Sequence, residues 1–172
     1  MYVVGGSFAS SLYGEPRSTN DIDLVADLRA DKVHQLVSAL GPEYYLSVPA
    51  IEEAVRSGGS FNVIHMRTAV KVDVFISGSD ALDRERLRRR RRVSISDDEP
   101  TVSLFVDTPE DTILRKLEWF HRGGRSSERQ WRDVVGVLRI QRDILDQTYM
   151  REWATRLDIG DLLDAARTEA QA

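Results

Sequence analysis

The chain contains no cysteine, which excludes disulfides, thiolate nucleophiles and zinc–sulfur centres. Long apolar runs are missing too: none reaches the roughly 20 residues needed to span a bilayer. No charged-then-apolar signal peptide opens the sequence. The expectation is a cytoplasmic protein without a membrane partner. There is no excess of positive charge, and a net charge of −4 argues against a generic polyanion binder. Lysine is scarce, occurring only at positions 32, 71 and 116, so the basic residues are overwhelmingly arginine. Internal repeats and low-complexity linkers are absent, which excludes a solenoid or a string of modules.

What is present suits one domain, or one domain with a small appendage. The chain has 172 residues, 41% of them hydrophobic and 30% charged, ordinary values for a globular protein. Its most informative feature is a set of acids. Asp21 and Asp23 lie two apart in the apolar stretch Asp21-Ile22-Asp23-Leu24-Val25. A third aspartate, Asp73, interrupts the run Val70-Lys71-Val72-Asp73-Val74-Phe75-Ile76. Side chains alternate along a strand, so Asp21 and Asp23 share a face. The hydrophobic neighbours Ile22, Leu24 and Val25 predict burial of the strand's other side. Carboxylates on such a strand are costly unless something positive binds there. Hard divalent cations are the natural candidate, and Mg²⁺ commonly takes one or two carboxylates plus substrate phosphates.

Upstream, Tyr2-Val3-Val4 reads as a short strand running into Gly5-Gly6, where the backbone could approach a ligand closely. Ser7 is placed to cap a short helix, Phe8 to Leu12, whose start would offer N–H groups to an anion. Gly5, Gly6 and Ser7 would then hold a triphosphate while Asp21, Asp23 and Asp73 hold metal. In a two-metal site the ions stand about 3.5–4 Å apart. Asp21 and Asp23 would serve both, and Asp73 would complete one and help deprotonate an acceptor hydroxyl.

Periodicity places the remaining elements. A helix starts at Asp31, buries Val33, Leu36, Val37 and Leu40, and stops at Gly41-Pro42. Tyr44 to Ser47 reads as a short strand and Pro49 to Arg56 as a helix ended by Gly58-Gly59. Phe61 to Met66 and Val70 to Ile76 read as antiparallel neighbours. Ser79 to Leu87 is a helix with Leu82 and Leu87 inward. Arg90 to Ile95 and Val102 to Val106 are strands joined by the acidic turn Asp97-Asp98-Glu99-Pro100. Then the period changes. Thr108-Pro109-Glu110-Asp111 is a helix start with an N-cap, a first-turn proline and first-turn acids, and Gly123-Gly124 ends that helix. Ser126 or Ser127 opens another, with Trp131, Val134, Val135, Leu138 and Leu145 inward. Thr148 to Leu157 and Asp161 to Ala170 follow. The expected fold class is α/β (α+β), a mixed sheet flanked by helices. A core at 1–107 is joined to a helical C-terminal subdomain at 108–172 that packs on it.

Val4-Gly5-Gly6-Ser7 with Ala9, Tyr13-Gly14, Pro16-Arg17, Thr19 and Asp21-Ile22-Asp23-Leu24-Val25 resembles the signature of the DNA polymerase beta-like nucleotidyltransferases. Within that superfamily the chain is most similar to the AbiEii/AbiGii toxin-like nucleotidyltransferases. The likeness extends to Lys116 in Leu114-Arg115-Lys116-Leu117 and Asp133 in Arg132-Asp133-Val134, which resemble a lysine and an aspartate on that family's helical half. It implies a nucleotidyltransferase fold, Mg²⁺ dependence and transfer of a nucleoside monophosphate from an NTP with loss of pyrophosphate. A toxin role with a cognate antitoxin, and RNA such as tRNA as acceptor, are further implications. One departure stands out: relatives usually carry a helix before the first strand, whereas here the strand begins at Tyr2. Either the start is shortened or the N-terminus is an artefact, and a missing helix would leave one sheet face less covered.

The other features admit plainer readings. Lys116 could reach a triphosphate as a flexible point charge or be a solvated helix residue. Asp133 could orient Lys116, bind the nucleotide's sugar, or pair with Arg129 or Arg132 on its own helix. Arg17 could touch phosphate or merely solubilise its loop, and Thr19 and Asn20 read as turn formers. The arginines from Arg84 to Arg92 could track an RNA backbone. With no aromatics between them, a solvated edge that blocks strand pairing is the better reading. His34, His65 and His121 have no metal-ligand spacing. Trp119, Trp131 and Trp153 read as core or helix-interface residues, and Gly136 as a site of close helix packing. Two alternatives remain: a non-catalytic nucleotide- or RNA-binding module on the same fold, and a transferase acting on a small molecule or a protein hydroxyl.

Overall fold

The computed structural model describes residues 1–78, 80–95 and 103–172. The predicted acidic turn at 97–100, Ser79 and Val102 lie outside the described residues. Seven strands form one mixed sheet: β1 (Tyr2–Val4), β2 (Asp21–Ala26), β3 (Tyr44–Tyr45), β4 (Ser60–His65), β5 (Lys71–Ile76), β6 (Arg91–Ser94) and β7 (Ser103–Val106). Their spatial order is β3-β4-β5-β2-β1-β7-β6. β2 runs parallel to β5, and β1 parallel to β7; the other pairings are antiparallel, including the expected β4–β5 neighbours. Eight helices accompany the sheet among the described residues: α1 (Gly6–Tyr13), α2 (Val33–Leu40), α3 (Val48–Ser57), α4 (Ala81–Arg89), α5 (Pro109–Arg122), α6 (Glu128–Gln141), α7 (Gln147–Arg156) and α8 (Gly160–Gln171). None of them is long and apolar enough to cross a membrane.

The chain divides into two compact units. The first comprises Met1–Gly5 with Thr19–Val106 and holds the whole sheet. Alternation sorts its strand residues between two cores. On one face Phe61, Val63, Val74 and Ile76 pack with Val33 of α2 and with Ile51 and Ala54 of α3, and Leu24 and Ala26 join them. On the other face Val3 and Val25 meet Leu87 of α4, with Phe75 against them. Asp21, Asp23 and Val25 alternate onto this second face, so the strand is covered by α4 at its C-terminal end and carries its acids at the other.

The second unit comprises Gly6–Ser18 and Asp107–Ala172. Here α5 is the central helix, buried from Pro109 to Glu118, with α1, α6 and α7 packed on it. Thr108 caps it by accepting from the Asp111 N–H at 3.2 Å, as its sequence predicts. Ser127 caps α6 in the same way.

Several expectations are corrected. Ser7 does not cap α1, because the helix begins at Gly6, whose φ of 57° suits glycine. Asp31 lies in a short 3₁₀ turn, Ala30–Lys32, ahead of α2. The strand at Tyr44 is only two residues long, since Ser47 is taken as the N-cap of α3. Leu145 is buried but lies beyond the end of α6. Trp153 is buried, whereas Trp119 is 46% exposed beneath the Arg122 guanidinium. Trp131 stacks against Phe120 and donates its ring N–H to Glu169 at 2.8 Å.

The tight glycine is not Gly136. A Cβ there would sit 3.5 Å from the Glu15 N, an ordinary contact. A Cβ on Gly14 would lie 2.9 Å from the Ser10 carbonyl oxygen and 3.0 Å from the Val137 N. Backbone atoms cannot step aside, so Gly14→Ala is expected to cost about 1–3 kcal/mol. Gly136→Ala should be neutral or stabilising by up to about 1 kcal/mol. Urea unfolding of the two variants reads this difference directly.

Candidate active site

The parallel register of β2 and β5 builds an acidic row. Asp21 pairs with Lys71, and Asp23 with Asp73. Neighbouring strands lie about 4.8 Å apart, so Asp23 and Asp73 stand side by side on one face. Asn62 is the β4 partner of Asp73, and on the other flank the Gly5 N–H donates to the Asp23 carbonyl at 2.9 Å. The row across the sheet therefore reads Asn62, Asp73, Asp23, Gly5. Gly5 spends its amide on the ladder that positions Asp23, so that N–H is not available to an anion.

Lys71 lies among the acids. Its ammonium is 2.8 Å from Asp73 Oδ2 and 3.7 Å from Asp21 Oδ1. The hydrogen bond to Asp73 and the attraction of Asp73, Asp21 and Asp23 outweigh its slight desolvation and hold its pKa above the ordinary lysine value. Sequence reading missed both Lys71 and Asn62. For Lys71 the signal was available, since a residue two before Asp73 on a strand must share its face.

The donor set suits a hard cation. Carboxylate oxygens are Mg²⁺ ligands, and an adjacent pair is sufficient when substrate oxygens fill the remaining positions. An ammonium already rests where positive charge is favoured. Among the described residues no three His, Cys, Asp or Glu side chains close around a single point. By register Asp23 stands beside Asp73, with Asp21 two residues along the strand.

The second unit contains a separate charged cluster. Asp133 of α6 accepts from Lys116 Nζ of α5 at 2.8 Å, from Arg17 Nε and Nη2 at 3.1 and 3.0 Å, and from Ser10 Oγ of α1 at 3.1 Å. Arg17 also donates to Ser7 Oγ. Burial pushes the Asp133 carboxyl up, but the hydrogen bonds and charges of Arg17 and Lys116 outweigh it and hold it below the ordinary carboxylate value. Asp133 thus pairs with Lys116 and Arg17, not with Arg129 or Arg132 of its own helix. Ser7, Arg17, Lys116 and Asp133 are brought together, and Ser10 is the member that sequence reading missed.

The arginine run is largely absorbed locally. Arg86 is buried on Asp83 at 2.7 Å and Arg88 pairs with Glu85. Arg90 covers the Phe105 ring at 4.6 Å, and Arg92 donates to Ser103 Oγ at 2.7 Å. Arg91 and Arg92 are exposed on β6, an outermost strand of the sheet, where charge discourages edge-to-edge pairing.

The architecture is that of a nucleotidyltransferase-like protein. A crystal structure of an antigenic nucleotidyltransferase-like protein from Paracoccidioides brasiliensis shares the fold, with a TM-score of 0.56 at 14% identity over 98% of this chain and 84% of that one. No curated protein matches the sequence. The family model described as nucleotidyl transferase AbiEii toxin, type IV toxin–antitoxin system, matches residues 1–170. The chain belongs to that family.

Proposed function

We propose that the protein is a magnesium-dependent nucleotidyltransferase that transfers a nucleoside monophosphate from an NTP to an acceptor hydroxyl on RNA such as tRNA, acting as the toxin opposed by a cognate antitoxin. The observation that carries this reading is the side-by-side register of Asp23 and Asp73, with Asp21 on the same face. Asp21, Asp23 and Asp73 would hold magnesium, as two ions in the full site. When bound, the metal supplies charge neutralisation at the phosphates and polarises their oxygens. Asp73 is the residue assigned to help accept the acceptor's proton. In the second unit, Arg17 and Lys116 against the single Asp133 leave one surplus positive charge, beside the Ser7 hydroxyl. That combination suits a phosphate and supports assigning Ser7, Arg17, Lys116 and Asp133, with Gly6, to the nucleotide; Gly5, its amide engaged by the Asp23 carbonyl, is left with a positioning role.

The test is incubation of the pure protein with each α-phosphate-labelled NTP, Mg²⁺ and a tRNA pool. Label is expected in the RNA fraction in a Mg²⁺-dependent way. Label appearing only in protein or in a small molecule would replace the RNA acceptor. No transfer to any fraction by natively folded protein would overturn the enzymatic reading and favour a binding module.

A further inference from the structure

Three carboxylates on one sheet face, two of them side by side, repel one another when nothing positive intervenes. Lys71 meets that need from within the chain. It is the register partner of Asp21, two residues from Asp73, and its ammonium reaches both. Its side chain is 35% exposed, so water can reach the ammonium. Lysine also suits such a role chemically. Its compact charge sits on a flexible stem and makes no bidentate fork, so it can withdraw without dismantling a rigid pair. The sheet keeps its two cores elsewhere: Val74 and Ile76 face one, and Val25 and Phe75 the other. Movement of the Lys71 side chain therefore leaves the packing intact.

We propose that Lys71 is the resident counter-cation of the Asp21, Asp23 and Asp73 cluster, a positioning residue that holds the acids together without metal and gives way to a divalent cation, thereby setting how tightly that cation binds. The proposal rests on the magnesium reading above. Electrostatically, an arriving divalent ion must either displace the ammonium or endure its repulsion. Lys71→Gln removes that opposition while retaining polarity, at the loss of one atom of reach, and Lys71→Arg retains the charge.

Mn²⁺ is the probe, titrated into the full-length protein without nucleotide, with free ion read by electron paramagnetic resonance. Lys71→Gln is expected to bind Mn²⁺ about tenfold tighter than the unsubstituted protein, as befits removing one like charge at close range. Lys71→Arg, which keeps the charge and can fork onto a carboxylate, should bind Mn²⁺ no tighter than the unsubstituted protein. In EDTA, Lys71→Gln should melt below the unsubstituted protein, and saturating Mn²⁺ should close the gap. A purely structural lysine would lower the melting temperature equally with and without Mn²⁺, and that result would overturn the proposal. So would unchanged or weaker Mn²⁺ binding by Lys71→Gln while Asp23→Ala abolishes binding, an outcome that leaves the magnesium reading standing. No Mn²⁺ binding by the unsubstituted protein would overturn both.

Discussion

Asp23→Ala is expected to lower nucleotide transfer by about a thousandfold or more. A carboxylate that holds a catalytic cation contributes several kcal/mol to transition-state stabilisation, and each 1.4 kcal/mol is about tenfold in rate. Asp23 occupies the centre of the row, with Asp73 on one flank and Gly5 on the other. The fold should survive, because Asp23 is not part of the buried core and its truncation deletes no core atom. The check pairs the labelled-NTP assay with circular dichroism. Retention of transfer within tenfold, in a folded variant, would remove Asp23 from the metal site and with it the central assignment.

Asp133→Ala is expected to destabilise the second unit strongly. The Asp133 and Lys116 side chains are each only 9% exposed. Without Asp133, Lys116 is a buried cation lacking this acceptor, and Arg17 loses two hydrogen bonds. Breaking a buried pair from one side costs about 3–5 kcal/mol. For a chain of 172 residues that is roughly a 10 °C fall in melting temperature.

The same pair sets a pH dependence. The Asp133 carboxyl is held below its ordinary value in the fold. Its contribution is therefore complete above the unfolded carboxylate pKa of about 4, and is lost as pH falls through the lower folded value. Asp133→Asn lacks that titration. The gap in melting temperature between the two proteins should be full at pH 6 and shrink below about pH 4. A gap of constant size from pH 3 to 7 would place the stabilisation elsewhere.

Much of this was legible in local sequence. Period-two alternation placed Asp21 and Asp23 on one face, and the Thr108-Pro109 start marked α5 because caps and first-turn prolines act locally. What stayed hidden was non-local. That Asp73 stands beside Asp23 depends on β5 (Lys71–Ile76) joining β2 (Asp21–Ala26) in parallel, with residues 27–70 folded elsewhere in between, and no spacing rule reports that register. The partner of Asp133 was equally ambiguous, because Lys116 belongs to another helix and its reach is set by how α5 meets α6. Trp119 misled because aromatic character predicts burial only on average, and its ring is partly shielded by Arg122 instead. Gly14 was passed over for Gly136 because a helical glycine is conspicuous in sequence, whereas a backbone crossing is visible only in space.

The grouping of α1 with α5 and α6, a hundred residues downstream, has a consequence for how the polypeptide is made. A ribosome releases the Gly6–Ser18 segment early, yet the helices that shelter Ala9 and Ser10, α5 and α6, emerge only after the whole sheet has been made. Until then α1 waits with its apolar side bared, so truncation after residue 107 would strand an orphaned, aggregation-prone segment rather than liberate an autonomous catalytic module.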